Sequence, residues 1–247
     1  MSFIFHNFFY RPLINILALL TRILPGESFG VAIITLTILV NLLFLPISIR
    51  MRRMQRHVQE IQPEIEKIKL QFKDKKDEQA RRTLELYKAR KIRPVSGVML
   101  PVVIQLMLFI ALYKVFQGGG GITVGDLYNF MPPIESLDPL FLNFIDLSKP
   151  SKVLAVLAGA AQFFQISLTA KNTGSAQPAK ESFGASLQKN MKYSIPGVII
   201  IFGLQFPAAL TLYWTTASIF GIVNESIMRF LGRDHGNISE RTTKSGT

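Results

Sequence analysis

The chain has 247 residues, 49% of them hydrophobic, and 28 Lys and Arg against 16 Asp and Glu give it a net charge of +12. It contains no cysteine, which excludes disulfides, thiolate catalysis, a cysteine-based zinc site and a lipoprotein anchor. Its three histidines, His6, His57 and His235, have no metal-ligand spacing. The apolar residues come in long runs instead of one periodic stripe, and mean hydropathy is +0.30. This composition predicts an all-α polytopic membrane protein.

Residues 1–27 are apolar with interruptions, and Arg11, Asn15 and Arg22 fall within roughly 40° of one another on a helical wheel. That stripe predicts an amphipathic helix lying at the interface, with Pro25-Gly26-Glu27 as the turn after it. Residues 28–49 form the first full span, with Thr37 and Asn41 on one helix face. Residues 50–95 are hydrophilic, and the run 50–93 holds fifteen Lys and Arg against seven Asp and Glu. Met51, Met54, Val58, Ile61, Ile65, Ile68 and Phe72 repeat at alternating spacings of three and four, and after Lys73-Asp74-Lys75-Lys76-Asp77 the pattern resumes at Ala80, Leu84 and Tyr87. A charged helical hairpin with an apolar seam follows, kinked or restarted at Pro63.

A second span covers 96–116, with Gln105 inside it. Gly118 to Gly121 break the helix, and the loop 117–151 carries Asp126, Glu135, Asp138 and Asp146 against Lys149 alone. The contrast in sign between the two connections puts the basic hairpin in the cytoplasm and the acidic loop outside. The third span is 152–171, with Gln162 and Gln165. A basic, flexible cytoplasmic loop covers 172–192. The apolar stretch 195–231 would be about 55 Å long as one helix, so it is divided at Pro207 into spans 193–206 and 207–231. A disordered cytoplasmic tail, 232–247, ends the chain.

Strong basicity often signals nucleic acid, but here it lies between apolar spans, so an orientation signal, anionic lipid or the ribosome surface explains it better than DNA. No cofactor is implied, and no Ser/His pair, HExxH or phosphate loop suggests an enzyme. Polar side chains inside apolar spans cost roughly 2 to 7 kcal/mol each if unpaired, so Thr37, Asn41, Gln105, Gln162, Gln165, Thr211, Thr215 and Ser218 are expected to converge. They serve either as helix-helix glue or as the lining of a path.

Several stretches in order are similar to those of the YidC/Oxa membrane-protein insertases. They are Arg11-Pro12-Leu13; Thr37-Ile38-Leu39-Val40-Asn41 with Leu45-Pro46; Gln62-Pro63-Glu64-Ile65; Pro94, Gly97, Pro101 and Gln105; Ile145-Asp146-Leu147-Ser148; and Phe206-Pro207-Ala208 with Leu212-Tyr213-Trp214. The resemblance implies a short form without a large outer domain, with five spans around a hydrophilic groove open to cytoplasm and lipid. Thr37, Asn41, Gln105, Gln165, Tyr213 and Trp214 would line the groove, which would insert and help fold nascent membrane proteins without ATP hydrolysis.

The resemblance also implies docking on the hairpin, through Met51, Arg52, Arg53, Met54, Arg56, Lys73, Lys75 and Lys76, with the ribosome and the Sec translocon as partners in a bacterial plasma membrane. Two positions depart from the family: Asn41 stands where bacterial members usually carry an arginine, and Arg93 replaces the usual Asn before Pro94. A small transporter or channel is the competing reading, because polar groups inside a bundle can equally line a solute path.

Overall fold

The computed structural model describes residues 3, 6–24, 28–91, 96–117, 124–131, 139–172 and 183–244. The expected turn at 25–27, the break at Gly118 to Gly121, Pro94 and residues 173–182 of the loop 172–192 lie outside the described residues, as do the side chains of Arg52 and Arg56. A wide π-type turn over His6–Tyr10 leads into α1 (Arg11–Ile23). Then come α2 (Phe29–Leu43), α3 (Leu45–Glu60), α4 (Gln62–Gln71), α5 (Lys76–Ala89), α6 (Ser96–Gln117), α7 (Lys152–Asn172), α8 (Phe183–Gly203) and α9 (Ala208–Lys244). Between α6 and α7 a two-stranded antiparallel ribbon pairs β1 (Leu140–Phe141) with β2 (Ile145–Asp146). Leu142 and Asn143 take left-handed backbone at φ 53° and 63° to close its turn.

The helices are apolar on their outer faces as well as in the core between them. Val153, Val156, Leu157 and Phe164 on α7, Val198 and Ile201 on α8, Ile219, Val223 and Ile227 on α9, and Ile38, Leu39, Leu42 and Leu43 on α2 are exposed. Thr37, Thr211, Thr215, Thr216 and Ser218 are buried. Apolar outer faces, with polar side chains kept among the buried ones, are the pattern of a chain solvated by lipid. The stretch Lys152–Ala170 has a mean hydropathy of 1.7 and is only 22% buried, long and apolar enough to cross a membrane unbroken. Phe29–Leu43 with Leu45–Met51 passes the same test only as a pair bent by 53°.

That bend corrects the straight span expected over 28–49. Pro46 has no N–H for the Leu42 carbonyl and its ring crowds the preceding turn, so the helix breaks at Phe44. Residues 208–231 fall within one helix, α9, whose Thr, Ser, Asn224 and Glu225 dilute its apolar residues.

α9 is the hub. It packs along α7 and α2, and α8 covers the other side of α7. α7 and α9 run in the same direction and hold one register, with Gln162 at Ser218 and Gln165 at Gly221. Glycines set the approach: a Cβ at Gly221 would collide with the Gln165 amide, and one at Gly159 with Ile200. The expected tail 232–247 is also corrected, because α9 continues to Lys244. No proline stands between Ala208 and Lys244, and extending a nucleated helix costs far less than starting one. α8 likewise begins at Phe183, inside the segment expected to be loop.

Pro63 marks a fresh helix start: α3 stops at Glu60, and α4 begins at Gln62 with the proline in its first turn. α4 and α5 lie side by side, tied by Arg90 to Glu64 at 2.6 Å and by Gln79 Nε2 donating to the Lys69 carbonyl at 3.1 Å. The predicted seam closes only in part. Met51, Ile61 and Ile65 are buried, whereas Leu84 is exposed and α5 buries nothing. On the second arm Ala80 and Leu84 are exposed and Tyr87 is half-buried.

Candidate functional site

Two polar links form among the residues singled out for the groove. On α2, Thr37 is 1% exposed and its Oγ1 donates to the Ile33 carbonyl at 2.7 Å. The half-buried Asn41 donates from Nδ2 to the Thr37 carbonyl at 2.8 Å. Both side chains satisfy themselves on their own helix, which makes them tolerable at apolar depth. On the facing wall, Tyr213 of α9 is 1% exposed, and its hydroxyl donates to the Gln105 carbonyl of α6 at 3.2 Å. Tyr213 is therefore a strut between helices, and Gln105 enters through its backbone.

Trp214 is half-buried and meets Phe109 edge to face, with ring centroids 5.8 Å apart. Phe109 stacks on Tyr113 and meets Phe206 edge to face, so an aromatic cluster joins α6 to the start of α9. Gln165 is placed apart from these groups, laid against Gly221 in the α7–α9 seam. Deeper in the bundle, Thr211 Oγ1 and Ser167 Oγ are buried with no hydrogen-bond partner among the described residues.

Of the hairpin residues, Met51 is 9% exposed and Met54 half-buried, where α3 packs on α6. Arg53, Lys73, Lys75 and Lys76 are exposed. The three lysines cluster at the turn between α4 and α5, while the methionines are at the base. Around α5, Glu78 and Glu85 bridge Arg81 and Arg82, and the paired guanidinium of Arg81 holds the Glu78 carboxyl below the usual carboxylate range.

Sequence reasoning missed a second polar cluster, at the end of the bundle that carries the acidic loop. Asn15 is 3% exposed. Its Nδ2 donates to the Arg11 and Asp126 carbonyls at 2.7 and 3.1 Å, and its Oδ1 accepts from the Tyr128 N–H at 2.8 Å. Arg11 donates to the Leu127 carbonyl at 3.0 Å and lies over the Tyr128 ring, while the Tyr10 hydroxyl reaches Asp126 at 3.3 Å. Burial, with Asp126 beside it, pushes the Tyr10 phenol up to about 12.

Two of the three stripe residues, Arg11 and Asn15, thus clasp residues 126–128, whereas Arg22 is exposed, as are Phe8, Phe9, Ile16, Leu19 and Ile23 of the same segment. α1 presents an apolar outer face, suited to the apolar part of a leaflet. The available signal was charge, since Arg11 and Asn15 stand four apart and Asp126 lies in the one acidic loop. Nearby, the Leu147 and Lys149 carbonyls accept from the Ala209 and Ala208 N–H groups that open α9. Hydrogen bonds from Lys149 and Ser148 bring the Asp146 carboxyl down to about 2.

Comparison with known proteins gives this arrangement its context. A family model described as 60Kd inner membrane protein matches residues 20–233. A Clostridium tetani protein named membrane protein insertase YidC is 32% identical over 214 residues, covering 85% of this chain and 86% of its own length. Membrane protein insertase MisCA of Bacillus subtilis is 29% identical, over 83% of this chain and 72% of that protein. A membrane protein insertase YidC from Methylobacillus flagellatus is 30% identical over 92% of this chain but only 37% of its own length.

Proposed function

The chain belongs to the 60Kd inner membrane protein family, the YidC/Oxa family, and from that premise we propose that it is an insertase. In this reading it moves the short polar tails of nascent membrane proteins across a bacterial plasma membrane and helps their spans to fold. The observation that carries the proposal is the extended similarity to proteins named insertases, over most of their length in the short relatives. The apolar outer faces and the polar groups among the buried residues support it, because insertion needs a polar route for the tail and an apolar surface for the span. Thr37 and Asn41 supply polar groups inside, and the outward helix faces are apolar.

We place five spans around the groove, with Thr37, Asn41, Gln105, Gln165, Tyr213 and Trp214 contributing to its lining or walls, the hairpin in the cytoplasm and the acidic loop outside. A substrate tail exchanges water for these amide and hydroxyl groups while its apolar segment enters lipid. Each Leu or Ile there contributes about 0.3 to 0.6 kcal/mol on insertion scales, and the step needs no nucleotide hydrolysis. The hairpin, with its net positive charge and exposed lysine tip, receives the nascent chain and faces the ribosome, and the Sec translocon is a partner for longer substrates.

The test is photocrosslinking from Thr37, Asn41 and Trp214 to a ribosome-bound nascent chain carrying one short-tailed span, with lipid-facing Val156 and Ile219 as controls. Crosslinks concentrated at the first three positions support the groove. Equal crosslinking from the controls refutes it.

A further inference from the structure

The ribbon between α6 and α7 turns one apolar face to the bundle and another away from it. Phe141 is 9% exposed and packs on α2, so close that a Cβ at Gly30 would collide with its ring. Side chains alternate along a strand, and the neighbours of Phe141 are outside: Leu140 is 45% exposed and Leu142 62%. Phe144, past the turn, is 72% exposed. Between residues 140 and 145 the single polar side chain is Asn143.

Leu142 is costly at its position in two ways. Its backbone is left-handed, with φ 53°, where a branched side chain crowds the following carbonyl and glycine or asparagine fits at lower cost. Its side chain is also the wrong kind for a turn in water, which favours Gly, Asn, Asp and Ser. Asn143, at φ 63°, suits such a turn and Leu142 does not. The base of the ribbon holds the turn in place: the Leu147 N–H donates to the Pro139 carbonyl at 2.8 Å and the Phe144 N–H to the Phe141 carbonyl at 3.3 Å.

The base also fixes the depth of the tip. The Leu147 and Lys149 carbonyls accept from the first N–H groups of α9, Phe141 seats on the first turn of α2, and α7 begins at Lys152. Three helices of the bundle therefore start at the level of the ribbon. Phe144 is three residues from Phe141, no more than about 10 Å at roughly 3.3 Å per residue, and the interfacial layer bordering the hydrocarbon is about 5 to 8 Å thick. The apolar outer face of α7 opens with Val153 and Val156, so the tip continues a surface already facing lipid. The charge beside it is neutralised, Asp146 pairing with Lys149 at 2.7 Å.

We infer that Leu142 and Phe144 form a lipid anchor. The tip enters the leaflet at the loop end, among the upper acyl chains, and holds that end of the bundle at a fixed depth. Lipid explains both the exposed apolar face and the placing of leucine where a water-facing turn would carry glycine or asparagine.

The chain has no cysteine, so Asn143→Cys gives the full-length protein a sole thiol for a nitroxide spin label at the tip. Val156→Cys on α7 and Lys73→Cys at the hairpin turn serve as lipid and water references, and all three positions are exposed. Each labelled protein is placed in phosphatidylcholine vesicles at a high ratio of lipid to protein. Collisions of the label with oxygen, which concentrates in lipid, are compared with collisions with a nickel chelate, which stays in water.

The oxygen-to-nickel ratio at residue 143 is expected to approach that at 156 and to exceed that at 73 several-fold. Adding Leu142→Ser and Phe144→Ser should bring it down to the value at 73. A ratio at 143 equal to that at 73 from the start places the tip in water and overturns the anchor. So does a high ratio that the two serines leave unchanged, and so does a label shielded from both reagents, which would mean that protein covers the tip.

Discussion

The two ends of the bundle are held by different means. At the loop end, side chains bind backbone: Asn15 and Arg11 grip residues 126–128, and the first N–H groups of α9 bind the carbonyls after β2. At the hairpin end the ties are on the surface: Arg90 meets Glu64, Arg81 and Arg82 meet Glu78 and Glu85, and Gln79 reaches the Lys69 carbonyl, all at least partly exposed. Buried bonds to backbone fix a position because nothing else can satisfy the groups they cover. Exposed ion pairs are exchanged for water at little cost. One end is therefore held more firmly than the other, as the proposed groove, loaded from one side, would require.

The largest effect on this comparison should come from Asn15→Leu. It strands the Tyr128 N–H and leaves the Asp126 carbonyl with Arg11 Nε as its donor, and should lower stability by about 2 to 3 kcal/mol, at roughly 1 to 3 kcal/mol per buried group left unpaired plus the lost bond. Thermal unfolding in detergent measures the loss, and an unchanged midpoint would remove the distinction between the ends. Next is Gly221→Ala, whose Cβ would meet the Gln165 amide. Overpacking of this kind costs typically about 1 to 3 kcal/mol, and pairing it with Gln165→Ala should restore most of the loss, readable in the same melts.

Asp146→Asn should cost about 0.5 to 1 kcal/mol, because Lys149 is largely exposed. Its signature is pH. A carboxyl held near 2 in the folded chain stabilises fully above its ordinary value of about 3.9 and loses that contribution as the pH falls towards 2. Asp146→Asn should flatten the acid limb of the stability profile, and a limb of unchanged slope would assign it to other groups. The smallest effect is expected from Arg90→Ala, within about 0.5 kcal/mol on global unfolding. Hydrogen exchange on α4 and α5 should nevertheless rise, and unaltered exchange would mean that the arms are held by the apolar contact at Ile61 and Ile65 instead.

What could be read from the sequence followed the range of the interactions. The helical class, the inward Thr37 and the restart at Pro63 depend on neighbours within one or two turns, and their signals are local. The break at Phe44 was equally local, since Pro46 stands four residues past Leu42, but its place in an apolar run hid it. The continuation of α9 to Lys244 was obscured by composition, because polar residues read as tail unless a helix already nucleated extends into them. The clasp of Asn15 on Tyr128 joins residues 113 apart. No periodicity in either segment names the other, and only the signs of their charges hinted at it.

That clasp also sets a schedule for biogenesis. The N-terminal helix is made first, yet the backbone groups that satisfy Asn15 belong to residues more than a hundred positions later. At about 5 to 20 residues per second of synthesis, α1 waits roughly 6 to 20 s with its polar stripe unanswered. During that interval headgroups and water must stand in for Asp126 and Tyr128. A protein proposed to help others enter the membrane would itself have to pass through a half-made state of the kind its clients present.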